Sequence, residues 1–149
     1  MSLLGRMIVI FLALIAAAWA SGIVMSMALL GPQWHGFTGD IGERASFWVT
    51  VVFASSYTGG ILFVPLLVFI GVAESFAWRS PLLYATVGAA LLLAGYFHGG
   101  YGAAESVDDP PAGAGAAHIA AAGGVVFGFV YWAIAGRKAG AWRARRRGA

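Results

Sequence analysis

The sequence predicts an all-α integral membrane protein, a four-helix bundle with both termini on the cytoplasmic side. Three observations carry this. Hydrophobic residues make up 60% of the 149-residue chain and charged residues only 10%, well below the ~25% charged share of an average soluble domain. Apolar runs recur at lengths that match the ~30 Å hydrocarbon core of a bilayer. Basic residues crowd the segments that would share one side of it. A mean hydropathy of +0.83 leaves too little polar surface for an ordinary soluble enzyme and too much apolar surface for disorder. The chain has no cysteine, so disulfides, thiolate metal sites and Cys nucleophiles are excluded.

The first uncharged run, Met7–Leu30, ends at Gly31-Pro32; at 1.5 Å per residue it reaches roughly 36 Å, enough to cross with some tilt. Ala18-Trp19-Ala20 resembles a signal-peptidase site. The apolar run continues ten residues past it, however, so a retained helix is expected. The second run, Phe47–Ala73, lies between Arg44 and Glu74. Pro65 cannot donate to the carbonyl of Ile61, so a kink is expected there. The third, Pro81–Phe97, follows Ser80, a candidate N-cap with proline at the first helical position. The fourth, 116–135, stops at Gly136-Arg137-Lys138. The chain reads as one transmembrane domain, 1–149, whose residues 137–149 form a basic tail.

With the N-terminus inside, Arg6, Arg79, Arg137, Lys138, Arg143, Arg145, Arg146 and Arg147 share the cytoplasmic side, against Arg44 alone outside. That imbalance sets orientation. Together with a retained first helix it suits a multi-pass protein of the bacterial inner membrane. Arg137, Lys138, Arg143, Arg145, Arg146 and Arg147 bracket Trp142 and should meet anionic headgroups, each cation contributing about 1 kcal/mol. The tail is too short and too close to the membrane to suggest nucleic acid.

Lipid tails are as apolar as leucine, so helices associate through small residues and a few polar contacts. Ala116, Ala120, Gly124 and Gly128 recur every four residues and define a packing face on the fourth span. Ala13, Ala17 and Ser21, with Ala18, Gly22 and Ser26, offer similar stripes on the first. Ser55, Ser56, Tyr57 and Thr58 lie near the middle of the second span, beside Gly59-Gly60. Hydroxyls beside an irregular helix at mid-depth are what a small transporter would use; alternatively they bond back to their own helix. No charge falls inside any run, which weighs against an ion route.

The three histidines, His35, His98 and His118, all fall on the outer side. His98 ends the third span and His118 begins the fourth, at similar depth. Two facing imidazoles could ligate haem b or a metal, with Gly95, Gly99, Gly123 and Gly124 leaving room for the ring. The outer loop 99–115 carries Glu105, Asp108 and Asp109 but lacks the ligand density of a calcium loop. No nucleophile–base pattern is present, so no enzymatic activity is expected.

The run Phe129-Val130-Tyr131-Trp132-Ala133-Ile134-Ala135-Gly136-Arg137-Lys138-Ala139-Gly140-Ala141-Trp142 resembles the C-terminal end of small uncharacterised four-span inner-membrane proteins of bacteria. The resemblance covers about a tenth of the chain, implies the architecture and carries no activity. A small multidrug exporter would need a carboxylate in its first helix, and Met7–Leu30 has none. The tryptophan-rich porphyrin-binding sensors have five spans. The expected role is therefore that of a non-catalytic accessory or structural subunit, without cofactor, packing against other membrane proteins. A haem- or metal-binding electron-transfer anchor using His98 and His118, and a transporter using the second span, are the alternatives.

Overall fold

The computed structural model describes residues 3–30, 38–98 and 113–140. It is all-helical over these residues: α1 Leu3–Leu30, α2 Ile41–Phe76, α3 Pro81–His98, α4 Gly113–Ile134 and a closing 3-10 turn, Gly136–Lys138. Three stretches are long and apolar enough to cross a membrane: Leu4–Leu30, Pro81–His98 and Ala117–Ile134. A fourth is added if the two parts of α2, Ile41–Gly60 and Leu62–Phe76, count as one bent span.

Local chemistry sets the ends of α2. Asp40 caps it, its Oδ1 accepting from the Glu43 amide at 2.8 Å, which satisfies one of the orphan donors of the first turn. The helix therefore starts at Ile41, ahead of the apolar run that begins at Phe47. It stops at Ala77, which adopts the left-handed conformation (φ 54°) and donates its amide to the Ala73 carbonyl. Its 36 residues make roughly 54 Å of helix, more than a bilayer core needs. The two parts are inclined by 55° on either side of Ile61, the residue whose carbonyl Pro65 cannot satisfy. The expected kink is thus where the missing hydrogen bond puts it.

Side by side, the helices run in the order α2, α1, α4, α3, with α2 and α3 touching only sparsely. The core lies along this row: Ala13 and Ala17 of α1, Leu62, Leu66, Ile70 and Ala73 of α2, Tyr84 and Leu92 of α3, Phe127 and Tyr131 of α4. At one end α2 meets α3 through an edge-on contact of Phe69 with Tyr84, ring centroids 5.2 Å apart. At the other end the N-terminal half of α2 stands off from α3. This leaves an apolar groove of about 440 Å³, walled by Phe53, Ala54 and Tyr57 on one side and Leu92 and Tyr96 on the other.

The tightest approach is between α3 and α4. Gly88 and Gly124 each face the other's carbonyl oxygen, and Gly128 faces the carbonyl of Tyr84. A Cβ on Gly124 would fall 2.6 Å from the Cα of Ala89, and one on Gly128 would fall 2.9 Å from the Cα of Ala85. Backbone is on both sides, so nothing can swing away. Small residues there are a condition of the packing. On the other side of α1, Gly22 fits against Ser55 and the Val51 carbonyl, and Ser21 and Ser26 are fully buried.

These contacts predict opposite outcomes for two kinds of glycine. Gly124→Leu or Gly128→Leu should lower stability by about 3 kcal/mol, the upper end for overpacking. Gly71, where an added Cβ would have nothing within 4 Å, should tolerate alanine with a gain of about 0.5–1 kcal/mol from helix propensity. Thermal unfolding in detergent distinguishes them. Equal melting of all three variants with the parent would place the α4 stripe against lipid.

Candidate functional site

The densest polar construction among the described residues sits where α1 begins, α2 ends, α3 begins and α4 ends. Arg6 lies in the first turn of α1 and Glu74 in the last turn of α2. Each charge is at the wrong end of its own helix, since the macrodipole disfavours a cation at an N-terminus and an anion at a C-terminus. Antiparallel packing brings the two together and relieves both. The Arg6 guanidinium and the Glu74 carboxylate form an ion pair, with Arg6 Nε donating to Glu74 Oε1 at 3.0 Å. Arg6 is only 7% exposed.

The pair reaches two more elements. Arg6 Nη2 donates to the Ala135 carbonyl at 2.8 Å, which also accepts from the Lys138 amide at 3.2 Å. Glu74 Oε2 accepts from the Gly140 amide at 2.9 Å. Gly140 has φ +71°, and a Cβ there would fall 2.6 Å from the Cβ of Ala77, so both its conformation and the space require glycine.

A second set of bonds joins the α2–α3 turn to the chain after α4. Trp132 Nε1 donates to the Arg79 carbonyl at 2.6 Å, and Arg79 Nε donates to the Ala139 carbonyl at 3.1 Å. Tyr84 donates its hydroxyl proton to the Trp78 carbonyl at 3.2 Å. The Arg137 guanidinium lies over the Trp132 ring, 5.7 Å from its centroid, within cation–π range. Arg137 and Lys138 are exposed. Trp142, Arg143, Arg145, Arg146 and Arg147 lie outside the described residues, as do His35 and the acidic residues Glu105, Asp108 and Asp109.

The hydroxyls of the second span do not converge. Ser55 turns to Gly22 of α1 and with Ser56 borders a small hollow beside Trp19. Tyr57 faces the groove toward α3. Thr58 is fully buried and donates to its own helix at the Ala54 carbonyl, 2.8 Å away. Ser55 and Ser56 thus share one hollow, while Tyr57 and Thr58 turn elsewhere.

His98 and His118 are both exposed, at the end of α3 and in the second turn of α4. The room for a ring expected at Gly123 and Gly124 is already taken: Gly124 meets the backbone of Gly88, and Gly123 meets Met25 and Ser21 of α1. No group of three or more His, Asp or Glu within metal-binding reach occurs among the described residues. Of the α4 stripe, Ala120, Gly124 and Gly128 are buried; the side chain of Ala116 lies outside the described set.

The Arg6–Glu74 pair was missed in the sequence, where Arg6 counts only toward orientation and Glu74 only as a boundary. One signal pointed to it. With the N-terminus inside, Glu74 is the single acidic residue on the cation-rich side. The chain matches no family model, no curated protein and no solved structure.

Breaking a buried pair strands the partner charge, at a cost of about 3–5 kcal/mol. Arg6→Gln and Glu74→Gln should each lose stability on that scale. The double variant Arg6→Gln/Glu74→Gln should lose clearly less than the sum, because no charge is left behind. A thermal double-mutant cycle in detergent measures this coupling, and strictly additive losses would show the pair to be solvated.

Proposed function

We propose that the chain is a four-span integral membrane protein of the bacterial inner membrane, with both termini in the cytoplasm, acting as a non-catalytic accessory or structural subunit. One observation carries the reading: the apolar surface is on the outside while the polar side chains that meet do so in order to join helices. Phe11, Phe53, Phe63, Val64, Val68 and Phe129 are all more than half exposed, a surface suited to lipid or to neighbouring helices. Arg6, Glu74, Trp132 and Arg79 each bond to a different element from their own. The bent α2 supplies the fourth crossing, and the excess of Lys and Arg at the Arg6 end orients the chain.

Two measurements test this. A reporter active only in the periplasm, fused after Ala149, should be silent; activity would reverse the topology. Native electrophoresis of membranes solubilised in mild detergent should show the 15.5 kDa chain within a larger hetero-complex. Migration as a monomer or as a small multiple of its own mass would argue against the accessory-subunit role.

A further inference from the structure

We propose that the α2–α3 turn and the 3-10 turn after α4 together form a site for the headgroup of an anionic phospholipid, with Arg79, Arg137 and Lys138 as its cations and Trp132 as its platform. The proposal rests on reading this end of the helices as a membrane boundary; it does not depend on which side of the membrane that end faces.

Four described cations gather here: Arg6, Arg79, Arg137 and Lys138. Glu74 is the one carboxylate among the described residues at this end, and it is taken up by Arg6 and the Gly140 amide. Asp40 and Glu43 begin α2 at the other end. Cancelling Arg6 against Glu74 leaves Arg79, Arg137 and Lys138 without a counter-ion among the described residues, all three exposed.

Arg79 comes from one turn and Arg137 from another, yet both are fixed to the same indole. Trp132 donates to the Arg79 carbonyl while Arg137 lies across its ring. Arg79 gives its Nε to Ala139, which leaves its two terminal nitrogens for an external acceptor, and a guanidinium presents such donors in the plane that a phosphodiester matches. Gly140 and Ala77, locked face to face, keep the turns from separating. Trp78, stacked on Phe76 with centroids 5.6 Å apart and partly exposed, borders the site with the rings that favour the headgroup level. A zwitterionic lipid offers the same phosphate but carries its own cation, so net negative charge decides the selectivity.

The test uses the full-length protein in detergent, with phosphatidylglycerol and phosphatidylcholine titrated separately and bound lipid counted by native mass spectrometry. Phosphatidylglycerol should bind more tightly. Arg137→Gln and Lys138→Gln should each lower that preference about fivefold, the equivalent of ~1 kcal/mol per cation. Arg79→Gln should do the same and Arg79→Lys should retain most of it. Replacing Arg143, Arg145, Arg146 and Arg147 with Gln removes their own contribution but should leave the part of the preference that Arg79, Arg137 and Lys138 hold. The Lys138 ammonium makes no bond to another described residue, so Lys138→Gln reads out the site even if the Arg79 variants fail to fold. Loss of preference in the tail variant alone would overturn the proposal, as would displacement of phosphatidylglycerol by equimolar inorganic phosphate. Equal binding of both lipids would overturn the site alone, whereas binding of neither would overturn the membrane reading beneath it.

Discussion

A full charge at the edge of hydrocarbon has to find a partner, and the rest of this structure is arranged around one such partnership. Arg6 and Glu74 are 68 positions apart, on helices that would each be less stable with that charge at that end. Pairing them turns two local penalties into one long-range constraint. Arg6 Nη2 also reaches the Ala135 carbonyl and Glu74 Oε2 the Gly140 amide, so a single ion pair fixes the start of α1, the end of α2 and the exit of α4 relative to one another. Buried pairs are poor sources of net stability because desolvation offsets much of their attraction. What this one contributes is register, since sliding any of the three elements by a turn would leave a charge or a carbonyl unmatched.

Away from that end the means are different. Between α3 and α4 the backbones meet at Gly88, Gly124 and Gly128, and dispersion over a close contact replaces hydrogen bonding. Between α1 and α2 the contact is of the same kind at Gly22 but includes hydroxyls. Thr58 and Ser21 both point at the Met25 sulfur, at 3.8 and 3.9 Å, a weak acceptor. Where neither device operates, between the outer halves of α2 and α3, the helices separate and the groove appears. The bend of α2 at Ile61 allows both behaviours in one helix, with its second half reaching α3 at Tyr84 and its first half packed on α1 through Val51 and Ser55 while standing off from α3.

Much of this could be read from the residues in advance. Helices were legible because a 24-residue uncharged run has few other solutions in a chain so poor in polar residues. The bend was legible because proline removes a named hydrogen bond. The spacing of Gly124 and Gly128 indicated a smooth face, though not which neighbour it would meet; Gly88 carries no such pattern with other glycines in its own span, and the match exists only in three dimensions. The early start of α2 at Ile41 was hidden because hydropathy marks the membrane, whereas Asp40 marks the helix. The polar construction at the Arg6 end was the largest omission. Charge counting treats cations as a sum, and a sum does not reveal that one member is buried and paired while Arg79 and Arg137 are drawn onto a single indole.

The position of Gly140 has a consequence for how the molecule is made. Chains emerge from the ribosome N-terminus first, so Arg6 is available early, Glu74 in the middle of synthesis and Gly140 last. Arg6 and Glu74 can meet as soon as the second helix is in place, but the second carboxylate oxygen keeps its lone pairs unclaimed until the final helix has passed and the glycine amide arrives behind it. The bond from residue 140 to residue 74 therefore forms only after α4 has been made, and Glu74 Oε2 lacks that donor until then.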